Sequence, residues 1–164
     1  MVRKGKAEDC RGIYELICDM EEKELPWDVF SQMYGEMLAD SRHVFLVWEE
    51  EKRMKGVLHL RMERQLHHAA LVAEIMEFAV DKNARSNGIG GEMLTYASEL
   101  AKEAGLQICL DMASYNIVAN DLEFFTLLIN KYVDIVFANE EEAKAFTGKE
   151  PEEALGCLLY TSPS

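Results

Sequence analysis

The segment that most restricts what this chain can become is Arg85-Ser86-Asn87-Gly88-Ile89-Gly90-Gly91. It follows an apolar run that ends at Val80. It precedes a helical pattern, Glu92 to Ala104, with Met93, Leu94, Ala97, Leu100 and Ala101 on one face. Three glycines at a strand-to-helix turn let successive backbone N–H groups converge on one point, and the helix adds its positive N-terminal end there. Arg85 brings a charge-assisted donor. The loop therefore has the makings of a pyrophosphate cradle, although a tight turn without a ligand uses the same residues.

The flanks exclude two common nucleotide folds. A dinucleotide fold places G-x-G-x-x-G after the first strand of a β-α-β unit; here the glycines are closer together and follow a hairpin. A P-loop continues with G-K-[ST], whereas Gly90 is followed by Gly91-Glu92. Upstream, residues 9–24 repeat apolar side chains at helical spacing (Ile13, Leu16, Ile17, Met20), with Asp9 placed to cap. Pro26 opens a second helix whose stripe, Phe30 to Leu38, reads as core rather than as ligand lining. Strands are expected over 43–48, 55–64 and 73–80, the first two forming a hairpin. After Gly105 the pattern becomes β-α-β-α, with strands over 106–112 and 133–138 and helices over 121–132 and 140–147; this implies parallel strands. The fold class is α/β, a mixed sheet flanked by helices and continued by the β-α-β-α segment.

The order of two helices, a hairpin, a strand, then Arg85-x-x-Gly88-x-Gly90 and a long helix resembles the GNAT N-acetyltransferase superfamily, whose acetyl-CoA signature is [QR]-x-x-G-x-[GA]. The stretch Gln65 to Phe78 is similar to the aminoalkylphosphonate N-acetyltransferase branch. The resemblance covers residues 3–105 and implies acetyl transfer from acetyl-CoA to a small primary amine by direct attack. It further implies that the backbone of Phe78, Ala79 and Val80 pairs with the pantetheine arm. Amides of Arg85, Ser86, Asn87, Gly88, Ile89, Gly90 and Gly91 would hold the pyrophosphate. Glu74 or its neighbour Glu77 would be the general base; on an ideal strand the two point to opposite faces, unless a bulge intervenes. His67 and His68 would meet an anionic acceptor or simply edge the sheet, and no metal is expected from two histidines without a spaced third ligand. Arg64, like Arg61, would receive a phosphonate or lie on an exposed strand face.

The resemblance weakens past residue 105. The helix tyrosine that protonates the leaving thiolate in this superfamily is replaced by Phe124-Phe125, Asn116 and Ala119 only echo the usual spacing, and no final hairpin follows. Residues 106–155, with the shared stretch 101–106, resemble instead an internal piece of the ribokinase-like (PfkB) sugar and adenosine kinases. Its catalytic G-A-G-D segment is absent from the sequence. Residues 156–164 resemble translated adapter sequence. The expectation is a join of a truncated acetyltransferase region (1–105), a kinase fragment (106–155) and a non-native tail, so whether the chain is a working enzyme stays open. The alternatives are a kinase fragment or a non-catalytic acidic binding module.

Charge narrows the partners. Acidic residues outnumber basic ones 30 to 17 for a net charge of -13. This disfavours nucleic acid and anionic membranes, both of which select basic surfaces. No C-x-x-C pair, signal-type leader or membrane-length apolar run is present, so the expected location is the reducing cytoplasm. Exposed apolar sheet edges would favour self-association, with a homodimer as the simplest outcome.

Overall fold

The computed structural model describes residues 1–66, 69–111, 122–150 and 153–154. The chain forms two compact units, Met1–Ala97 and Ser98–Ser164.

The first unit is an antiparallel sheet in the order β1-β2-β3-β4. Its strands are β1 (Val2–Lys4), β2 (His43–Glu50), β3 (Arg53–Gln65) and β4 (Ala70–Val80). Helices α1 (Cys10–Glu21) and α2 (Trp27–Ala39) connect β1 to β2, and α3 (Ile89–Glu103) follows β4. Apolar residues three and four apart place Ile13, Leu16 and Ile17 in the core against Phe45, Val47, Val57 and Ala79. The opposite face of the sheet meets α3: a Cβ added at Gly56 would lie 2.7 Å from Met93 Sδ and 3.4 Å from an Ile89 methyl. Trp48 Nε1 donates to Glu92 Oε2 at 2.7 Å, tying β2 to the first turn of α3.

Asp9 was expected to cap α1, and its side chain does not. Its carboxylate instead accepts two hydrogen bonds from the Arg3 guanidinium, at 2.7 and 2.8 Å, and one from the Lys6 amide at 2.7 Å. A buried carboxylate gains more from a guanidinium than from one helix amide, and the Arg3 side chain holds the Asp9 carboxyl below its ordinary range.

The second unit contains β5 (Cys109–Asp111), α4 (Leu122–Lys131), β6 (Ile135–Phe137) and α5 (Glu140–Thr147). β5 and β6 are parallel, with Cys109 opposite Ile135, as the β-α-β pattern implies. β5 starts later than the apolar run, because Gly105 adopts φ 71° and the Leu106 amide closes the end of α3 on the Ala101 carbonyl. Leu128, Ile129, Tyr132 and Val133 form this unit's core. Asn139 and Glu142 cap α5 reciprocally, and Gly148 ends it at φ 69°. Asn116, Ala119 and residues 156–164 lie outside the described residues. No helix among the described residues is long and apolar enough to cross a membrane.

Candidate active site

Pairing along β3 and β4 determines where the two carboxylates point. Glu77 lies opposite His59 and Glu74 opposite Arg61, yet Ile75 lies opposite Leu60, so Met76 is an extra residue in β4. This bulge resets the two-residue alternation. Residues 59 and 61 share a face of β3, so Glu74 and Glu77 share a face too. It is the face on which α1 and α2 pack, since Val57 and Ala79, also paired, belong to that core.

The two carboxylates nevertheless differ. Arg61 donates to Glu74 at 3.0 Å. Glu77 Oε2 bonds His59 Nδ1, and His59 Nε2 lies 2.8 Å from His43 Nδ1. The His59 ring stacks on Phe45 with centroids 4.1 Å apart, and its side chain is only 3% exposed. Burial, then the His59 neighbour, lowers the His43 pKa below its ordinary value. A neutral His43 donating from Nδ1 leaves His59 Nε2 as acceptor and Nδ1–H as donor to Glu77. Glu77 is thus held through one oxygen. Its Oε1 receives no hydrogen bond from a described residue, and its side chain keeps 40% exposure.

Glu77 and His59 also border a cavity of about 100 Å³ under α1 and α2, lined further by Phe30, Met33, Tyr34 and Met37. The α2 stripe, expected as core, is divided by this cavity: Tyr34 is buried, whereas Met33 is 48% exposed.

The glycine loop joins β4 to α3. Ser86 and Gly88 take left-handed φ values of 64° and 77°, and the space beyond Gly88 is open for at least 4 Å. α3 begins at Ile89, and Glu92 N–H donates to the Gly88 carbonyl at 2.9 Å. The amides of Ile89, Gly90 and Gly91 therefore belong to the first turn, where no intrahelical acceptor is available. A Cβ on Gly90 would touch the Phe78 ring at 3.4 Å, so a small residue lets α3 approach β4. Arg85 Nε donates to the Val80 carbonyl at 3.2 Å, joining the loop to the end of β4. Among the described residues β4 is an edge strand of its sheet, so the segment Phe78–Val80 has one side without a strand partner, where the Val80 carbonyl is taken by Arg85.

Of the acceptor-side residues, Arg64 lies opposite Leu71, on the face away from Glu74 and Glu77. His67 and His68 lie outside the described residues. The sequence reading missed His59 and His43. A histidine at an inward position of an otherwise apolar strand, Val57-x-His59-x-Arg61, was the available signal, because a buried imidazole requires partners.

Residues 10–126 match the acetyltransferase (GNAT) family. The aminoalkylphosphonate N-acetyltransferase of Salmonella typhimurium is 31% identical over 126 residues, which is 77% of this chain and 80% of that protein. Two solved structures share the fold. The glucosamine-6-phosphate N-acetyltransferase of Arabidopsis thaliana has a TM-score of 0.56 at 21% identity, over 65% of this chain and 76% of that one. An aminoglycoside acetyltransferase from an uncultured soil metagenomic sample reaches 0.58 at 17% identity, over 99% and 87%. The family match runs through the bulged strand, the glycine loop and α3, and by that match this chain belongs to the GNAT acetyltransferase family.

Proposed function

We propose that the chain transfers an acetyl group from acetyl-CoA to a small primary amine in the cytoplasm, with Glu77 as general base. Acetyl-CoA supplies the activated acetyl group. The residues present fit it: an unpaired strand edge at Phe78–Val80, open space over Gly88, and first-turn amides of α3 for the pyrophosphate. Glu77 Oε1 takes a proton from the acceptor ammonium and frees the nitrogen lone pair to attack the thioester carbonyl; the C–N bond forms as the C–S bond breaks, and CoA leaves as a thiolate that takes up the second proton released by the nitrogen. His59 holds the other oxygen so that the carboxylate keeps its aim. The placement of Glu77 by the β4 bulge, at the rim of a cavity and just before the edge segment, carries this reading. Glu74, matched to Arg61, orients that guanidinium instead.

Thermal unfolding with acetyl-CoA is the test. A ligand at a hundred times its Kd adds about 2.7 kcal/mol of stability, a rise of several degrees. Gly88→Trp fills the cradle and is expected to lose that shift, while Gly88→Asn, which tolerates positive φ, retains the fold. Glu77→Gln is expected to lower kcat about 10²- to 10⁴-fold and Glu74→Gln far less. A cooperative transition unmoved by acetyl-CoA overturns the reading.

We further read residues 106–155 as a ribokinase-like segment, although the GNAT match runs into its first part as far as residue 126, and 156–164 as non-native sequence. The parallel pairing of β5 with β6 across α4 favours this. A single genomic read across codons 95–115 with both halves in frame sinks it.

A further inference from the structure

The cavity beside Glu77 has a chemical character that the acetyltransferase reading does not supply. Resting on that reading, we infer that the acceptor is a primary amine on a short apolar arm, alkyl or phenyl, with the arm in the cavity and the nitrogen at Glu77 Oε1.

The polar inventory of the cavity is small. Tyr34 presents its ring, because its hydroxyl donates to the Lys6 carbonyl at 2.7 Å. Both ring nitrogens of His59 are engaged, one by Glu77 and one by His43. That leaves one free acceptor, Glu77 Oε1, on an otherwise apolar wall of Phe30, Met33, Met37 and Phe45. Such a wall recognises a cation at one end of a ligand and offers no polar partner at the other. The exposure of Met33 and Glu77, 48% and 40%, opens the cavity to solvent.

Size agrees with this chemistry. A dry cavity of about 150 Å³ admits benzene; one of about 100 Å³ suits a chain of a few carbons or a ring that displaces the flexible Met33.

An anionic arm fits poorly. Among the described residues, no lysine or arginine lines the cavity. Arg61, on the same face but outside the cavity lining, meets Glu74 at 3.0 Å and Glu63 at 3.7 Å through one terminal nitrogen, while its buried Nε has no partner among the described residues. A phosphonate inside would sit unpaired beside the Glu77 carboxylate, and burying an unpaired charge is costly.

Steady-state release of CoA from acetyl-CoA by the full chain, with ethylamine, propylamine, butylamine, 2-phenylethylamine and 2-aminoethylphosphonate as acceptors, tests the inference. We expect kcat/KM to rise about threefold to fourfold per methylene until the cavity is full, and the phosphonate to lie at least about fiftyfold below butylamine, beyond the roughly 9- to 16-fold that the two-methylene difference in chain length supplies. Met33→Lys, at an exposed position, is expected to flatten the methylene series while the thermal shift with acetyl-CoA persists. Faster turnover of the phosphonate than of butylamine overturns the inference and leaves the acetyltransferase reading intact. So does a flat series in the parent chain. Turnover of no amine by a chain that acetyl-CoA still stabilises overturns the inference and leaves only the acetyl-CoA site of that reading standing. No turnover and no acetyl-CoA shift overturns both.

Discussion

Glu77 owes its aim to neighbours that lie deeper in the sheet. His59 donates to it from Nδ1, and the Nδ1–H of His43 satisfies the remaining acceptor, His59 Nε2. Burial and the adjacent imidazole lower the His43 pKa, so the folded chain binds fewer protons there than the unfolded chain. Stability from this group is complete above the ordinary histidine pKa of about 6.5 and declines as pH falls from there through the lowered value. The midpoint of urea unfolding should therefore drop between pH 7.5 and 5.5, and the drop should be smaller in His43→Gln. An equal drop in both would remove His43 from the explanation. At this scale the sequence was partly legible. The carboxylates were named from motif position, while the histidines and the Arg3–Asp9 pair depend on strand register and long-range contacts that spacing along the chain does not encode.

Elements were easier to read than their irregularities. The two helices before the hairpin and the helix after the glycine loop follow from apolar periodicity, and α5 is as expected from Glu140 to Thr147. β1 escaped because three residues are too few to show alternation. The bulge at Met76 escaped because a two-residue period is the assumption by which strands are recognised. The fit between elements is tight where α3 crosses β3. Met93, fully buried, sits where a side chain on Gly56 would go. Gly56→Ala should destabilise the chain by about 1–3 kcal/mol through overpacking, seen as a lower Tm. A neutral result would mean that Met93 can rotate away within a full core.

At the scale of the whole molecule, the two units have separate cores, one around Val47 and Val57 and the other around Ile129. Ile129 is fully buried, and Ile129→Ala should remove about 2–5 kcal/mol from its surroundings. Hydrogen exchange is expected to show faster exchange over 122–147 with protection kept over 43–65; a uniform loss would show one cooperative unit instead. The change of texture after Gly105 was legible as a switch from hairpin to β-α-β pattern, and the structure divides the chain nearby, after Ala97. The difference has a simple origin: α3 is one continuous helix, so its sequence carries no mark where its packing partners change.

The extra residue at Met76 separates two properties that usually travel together. Because Ile75 already pairs with Leu60 and Glu77 with His59, excising Met76 would leave every ladder partner in place and both carboxylates on the same side. Only the local bend would go. A one-residue deletion, ordinarily the harshest edit a strand can receive, is here the mild one. Inserting a residue beside Met76 is the severe edit, since the ladder would then have to carry two extra residues or slide past its β3 partners from Glu77 onward. Natural or laboratory variation in the length of this strand should therefore favour shortening over lengthening.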